Sequence, residues 1–174
     1  MCHLPDQPTT DEIINDHMKY RCVLITVSDI KRSRQFYEQV LDQKVKYDYG
    51  ENITFHGDFA IHLRSHFKEL IGNREISEKA NNCELYFEID DLDPAAERLN
   101  HYGVDFVHGV REQPWRQQAM RFYDPDGHMI EIGESLEHLS YRLHREGMEV
   151  GKISEIIHMS RDFVLHSIGR FEHY

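Results

Sequence analysis

Arg121-Phe122-Tyr123-Asp124-Pro125-Asp126-Gly127-His128-Met129-Ile130-Glu131-Ile132-Gly133-Glu134 reads as strand, tight turn, strand. Asp-Pro-Asp-Gly supplies the turn: proline presets the first torsion, and Gly127 is free to take positive φ. Past the turn, Met129, Glu131 and Gly133 alternate with Ile130 and Ile132, the period of a half-buried strand. Glu131 therefore points away from the face that carries the isoleucines. A carboxylate in mid-strand between two β-branched residues stands where a sheet places a ligand or a base. What else converges on Glu131 decides how the rest of the chain is read.

Upstream, Arg21–Val27 has the alternation of a strand, with Val23, Ile25 and Val27 on one face and Cys22, Leu24 and Thr26 on the other. Asp29 is placed to cap a helix over Ile30–Leu41, whose Ile30, Phe36, Tyr37, Val40 and Leu41 form an apolar stripe. Three short strands follow, over Lys44–Tyr49, Asn52–His56 and Phe59–Arg64, and then a connector with one apolar helical turn at Phe67, Leu70 and Ile71. The same order recurs downstream. Glu84–Ile89 is a strand with Leu85, Phe87 and Ile89 on one side and Glu84, Tyr86 and Glu88 on the other. Asp93-Pro94 opens a helix that Gly103 closes, and strands at Asp105–Val110, Gln118–Tyr123 and His128–Ile132 complete it. An offset of 62 positions lays Thr26-Val27-Ser28-Asp29-Ile30 over Glu88-Ile89-Asp90-Asp91-Leu92 and Cys22 over Glu84. An internal repeat of this length fixes the architecture. The fold class is α+β: two β-α-β-β-β units forming an open, cup-shaped mixed sheet.

The organisation that follows is a polar lead-in over 1–19, a double-unit body over 20–135 with units at about 20–66 and 83–135, and a helical appendage over 136–174. The start lacks the basic residues and apolar run of a signal peptide. No segment approaches the roughly 20 apolar residues of a membrane span. Three cysteines (Cys2, Cys22 and Cys83) with no paired spacing suit thiols in a reducing cytosol. A net charge of −11 opposes nucleic acid and anionic membrane as partners. The tail shows helical spacing at Leu136, Leu139 and Leu143, then Ile153, Ile156 and Ile157, then Phe163, Val164 and Ile168. Its Gly147–Val164 run resembles the small helix-turn-helix of regulators, but its reading helix has only two basic residues.

Cys22, His62, Glu84 and Glu131 lie on first and last strands, opposite the helix-packing aliphatics, and a cup built from both units would let them meet. Thiol, imidazole and carboxylates are donors for a divalent transition metal. Arg64, on the His62 face, is placed to hold a substrate anion, and Trp115 and Tyr86 to wall the cup. These motifs resemble the vicinal oxygen chelate superfamily: glyoxalases, extradiol dioxygenases and bleomycin-resistance proteins. The residues that carry the resemblance are Val27-Ser28-Asp29-Ile30 with Ser33, Phe36, Tyr37 and Leu41, then Ile89-Asp90-Asp91-Leu92, then Arg121–Glu131.

The resemblance implies a metal held by His62, Glu84, Glu131 and Cys22 (nickel, zinc, manganese or iron), with histidine usual at the places of Cys22 and Glu84. It implies a cytoplasmic, homodimeric, metal-dependent lyase or isomerase for a small substrate with vicinal oxygens, with Glu131 first and Glu84 second as the proton-moving group. The alternatives are a non-enzymatic drug- or metabolite-binding protein and an extradiol-type dioxygenase.

Overall fold

In the computed structural model, which describes residues 20–172, the repeat shows first at the starts of two helices. The lead-in over 1–19 lies outside the described residues. Asp29 accepts the backbone N–H groups of Lys31 and Arg32 at 2.9 and 3.1 Å. Asp91, 62 positions on, accepts that of Asp93 at 3.0 Å. The cap of the second helix is thus Asp91, not Asp93. Pro94 sits inside the first turn, where a helix does not require its N–H. Gly103, at φ 81°, closes that helix in the left-handed conformation, as its position in the sequence predicts.

The first unit runs β1 (Val23–Val27), α1 (Ile30–Gln39), β2 (Val45–Asp48), β3 (Asn52–Phe55) and β4 (Phe59–Leu63), followed by α2 (Arg64–Leu70). The second runs β5 (Glu84–Ile89), α3 (Leu92–Tyr102), β6 (Asp105–Glu112), β7 (Gln118–Tyr123) and β8 (Met129–Glu134). Each unit makes its own four-stranded mixed sheet, ordered β1-β4-β3-β2 and β5-β8-β7-β6. In each, the first strand pairs parallel with the last, and the remaining pairs are antiparallel.

The units pack back to back. Phe36, Tyr37, Ile61, Leu92, Leu99, Met120, Phe122 and Ile130 belong to one core shared by both helices and the inner faces of both sheets. Phe59 of β4 meets Phe87 of β5 edge-on at 6.0 Å, and Arg98 of α3 donates to the Val40 carbonyl at 2.7 Å. Alternate strand residues project to opposite faces, so each sheet keeps an outer face turned away from this core. The appendage is α4 (Leu136–Arg145), α5 (Val150–Ile157) and α6 (Arg161–Glu172), with a core of its own around Leu139, Leu143, Ile153, Val164 and Ile168. It is tied to the body by buried Glu134, which accepts from Arg142 at 2.9 Å and meets His138 Nδ1 at 2.8 Å. No helix among the described residues is long and apolar enough to cross a membrane.

The β7–β8 turn is the rivet between the units. Asp126 accepts from the Ser28 N–H at 2.8 Å, the Ser33 hydroxyl at 2.9 Å and Arg32 at 3.0 Å, all in the first unit. Asp124 accepts the Tyr37 hydroxyl at 2.8 Å, together with the N–H groups of Asp126 and His128 in its own turn. Burial alone would push the Asp126 carboxyl up. The hydrogen bonds from Ser28, Ser33 and Arg32 outweigh it and hold the group below the ordinary carboxylate value. A depressed folded pKa stabilises the fold above the unfolded value, about 3.9, and that stability is lost as pH falls through the folded pKa. Asp126→Ala strands these donors and is expected to cost about 2–4 kcal/mol, read as a lower Tm at pH 7. The gap between parent and variant should narrow below about pH 4; an unchanged gap at pH 3 would show that the charge of Asp126 is not what holds the units.

Candidate functional site

A row of side chains crosses the outer face of the second sheet. Tyr86 on β5 pairs in register with Glu131 on β8, and Glu131 with Arg121 on β7. His108 on β6 pairs with Arg121 in turn. Tyr123 stands opposite Met129 just outside the turn. Two residues further out on each strand, Arg121 and Glu131 must therefore face each other. Arg121 Nη2 bonds Glu131, and its Nε donates to Glu84 Oε2 at 3.0 Å. Its Nη1 lies 3.4 Å from His108 Nε2. Glu131 is buried at 4% exposure, whereas Glu84 is exposed.

A second set of polar groups lies beside this row. Trp115 Nε1 donates to Gln117 Oε1 at 2.8 Å, and Gln117 Nε2 donates to the Tyr86 hydroxyl at 2.9 Å. The Tyr86 hydroxyl donates to Glu88 at 2.8 Å. Burial, with that bond to Glu88, pushes the Tyr86 phenol up to about 12, so it stays a neutral donor. Gly133 makes room for this arrangement: a Cβ there would stand 2.9 Å from the Tyr86 hydroxyl and 3.0 Å from Gln117 Nε2. Tyr86 and Trp115 remain about half exposed, and Tyr86 stands beside Glu131 in the register.

The outer face of the first sheet carries a different group. His62 on β4 reaches His66 at the start of α2, Nε2 to Nδ1 at 3.0 Å, and Asn52 lies 3.3 Å from His62 Nδ1. Glu51 reaches the same His66 nitrogen at 2.9 Å. Under the 62-residue offset, Leu24 corresponds to Tyr86. Leu24 pairs with Ala60, and Tyr86 with Glu131. Ala60, not His62, thus occupies the counterpart of Glu131, and His62 lies two residues along, at the counterpart of Gly133. Cys22 is a half-buried free thiol just before β1.

The expected convergence of Cys22, His62, Glu84 and Glu131 does not occur within one chain. The first two belong to one outer face and the last two to the other, because the units pack through their helix sides. Arg64, expected on the His62 face, is instead the first residue of α2 and turns to Asp126 and Glu78. A cavity of about 760 Å³ lies between the units beside Asp126. Its charged lining is already paired, Arg32 and Arg64 with Asp126 and Lys79 with Asp105, which leaves the second sheet's outer face as the candidate site.

A resident divalent metal does not fit the donors as they stand. Among the described residues, no group of three or more His, Cys, Asp or Glu side chains is arranged to hold a metal ion. Glu84 and Glu131, the two candidates that do share a face, both spend an oxygen on Arg121. Like unit charges 4 Å apart cost about 4 kcal/mol at an effective dielectric of 20, and a doubly charged ion faces more. Arg121, Glu51 and Gln117 were not among the residues expected in the site. Arg121 was legible in principle, since the turn position alone sets its partner.

The family model described as a glyoxalase-like domain matches residues 20–137, and the chain belongs to that family and to the vicinal oxygen chelate superfamily. Metallothiol transferase FosB of Bacillus licheniformis is 28% identical over 123 residues, covering 68% of this chain and 78% of that protein. A protein of unknown function from Agrobacterium tumefaciens is 38% identical with a TM-score of 0.62, covering 68% of this chain and 95% of that one. A glyoxalase-related enzyme from Fulvimarina pelagi, at 23% identity and TM-score 0.57, covers 65% of this chain and 86% of its own and shares the fold.

The histidine pair yields a direct check. Burial lowers the pKa of His62, and the neighbouring His66 lowers it further against the opposing pull of Glu51. In an NMR titration, the His62 ring should protonate below about 6.5, the ordinary histidine value, and His66→Ala should raise its midpoint. A midpoint above 6.5 in the parent would contradict this burial.

Proposed function

We propose that this glyoxalase-like chain is an enzyme of the lyase or isomerase type. Its small substrate, with neighbouring oxygens, binds against the outer face of β5–β8, and Glu131 moves the proton. The observation that carries the reading is the Tyr86–Glu131–Arg121–His108 row: a buried carboxylate beside a guanidinium, with aromatic rings at its border. In this reading Arg121 donates hydrogen bonds to a substrate carbonyl oxygen and meets the negative charge that develops there. Glu131 removes the proton from the adjacent carbon and returns it to the neighbouring atom. Glu84 holds Arg121 from the other side. Tyr86 and Trp115 cover the substrate and keep water out.

The cup is completed by a second copy. β1 and β5 are edge strands of their sheets, and Val23, Leu24 and Tyr86 are exposed large apolar side chains there. Unpaired edges with apolar exposure favour association. The partner would bring the first sheet's outer face, with Cys22 and His62, over the second sheet's outer face.

Two measurements bear on this. Solvent deuterium incorporation next to the carbonyl of 2-hydroxyketones and 2-ketoaldehyde–thiol adducts, followed by NMR, should be catalysed by the parent. Glu131→Gln should slow it about 10²–10⁴-fold. Absence of exchange across that panel, with ligands still quenching Trp115 fluorescence, would favour a non-enzymatic binding protein. Light scattering should give a dimer, and Leu24→Glu a monomer; a monomeric parent would sink the shared cup.

A further inference from the structure

We infer that Arg121 is the resident cation of this site and that the chain works without a bound divalent metal. The inference rests on reading the outer face of β5–β8 as the working site. It goes beyond that reading by replacing the metal which the metallothiol transferase's name would suggest.

The argument is one of donors and positions. A guanidinium carries five N–H donors in a fixed fork. The Nε donor goes to Glu84, one Nη2 donor to Glu131 and one Nη1 donor to His108. His108 Nδ1 lies 2.8 Å from the Gly109 carbonyl. A carbonyl only accepts, so Nδ1 bears the hydrogen, and His108 Nε2 is left as the acceptor for Arg121. Every group around the guanidinium is therefore an acceptor turned toward it. The position of Arg121 is fixed by register with Glu131, not by the chance reach of a surface arginine.

Among the described residues, two donors remain without a partner, one on each terminal nitrogen. A forked pair of that kind matches two neighbouring oxygens on one substrate, as it matches the two oxygens of a carboxylate. The guanidinium thus takes over two tasks of a metal ion, balancing the carboxylates and gripping adjacent oxygens. It does so without open coordination positions.

The test uses the full-length untagged protein and Ni²⁺ or Mn²⁺ as the probe, with binding followed by calorimetry and by elemental analysis after dialysis. The parent should hold no stoichiometric metal. Arg121→Met, which frees Glu84 and Glu131, should gain affinity by about tenfold or more, and adding Glu131→Gln should remove the gain. Arg121→Lys keeps the charge and should stay metal-free, which guards against a Met variant that does not fold. One equivalent of metal in the dialysed parent overturns the inference. So does a folded Arg121→Met variant that binds no better than the parent. The metal readout is independent of turnover: a metal-loaded parent whose proton exchange still depends on Glu131 defeats this inference alone. A metal-free parent that exchanges nothing defeats only the functional reading.

Discussion

The structure depends on how the β7–β8 turn is anchored. Asp124 and Asp126 are buried carboxylates at the tip of a hairpin in the second unit, and their partners Tyr37, Ser28, Ser33 and Arg32 lie in the first. Carboxylates buried in a unit interface are tolerated only with full sets of donors, and here the donors across the interface come from the first turn of α1, from Tyr37 near its end and from Ser28 before it. The turn therefore cannot form its bonds unless the first unit presents the N-terminal end of its helix. That requirement selects the back-to-back packing.

Two consequences run from that turn in opposite directions. Toward the first unit, it locks the helix sides of both sheets into one core and turns both outer faces outward. Along its own strands, it sets the register that puts Arg121 opposite Glu131. A one-residue slip would move both to the inner face, against Phe122 and Ile130, and would at the same time pull Asp126 away from Ser28 and Ser33. The inter-unit bonds and the polar row thus enforce a single register, which is why a bulge-free hairpin lies at the centre of a sheet whose β6–β7 edge is irregular.

The period of the sequence made most of the fold legible. The two helices, the strands and the 62-residue offset are local properties, visible because side chains alternate on strands and form stripes on helices. Asp91 as a cap follows from the repeat itself, since it corresponds to Asp29. The local appeal of Asp-Pro drew the expectation to Asp93 instead. The placement of Glu131, Glu84 and Tyr86 on one face was equally readable. What periodicity does not carry is which side of each sheet meets the other unit. Nothing in the spacing tells whether the open cup brings the outer faces of both units together within one chain, so the meeting of Cys22 and His62 with the carboxylates did not follow. Likewise, His62 and Ala60 share a face, and only strand register tells which of them is the counterpart of Glu131.

β8 shows how one strand divides its labour by position. The turn that precedes it holds the first unit, Glu131 in its middle faces outward, and Glu134 at its end is nearly inaccessible, bound by Arg142, His138 and the Gln118 N–H. Arg142 is held above its ordinary value chiefly by its bond to Glu134, and that bond ties α4 to the end of β8. Gln117 joins the two regions, since its amide donates both to the Glu134 carbonyl and to the Tyr86 hydroxyl. A shift of α4 that moved the end of β8 would therefore reach Tyr86 through one side chain. The helices beyond the family match are mechanically continuous with the wall of the site.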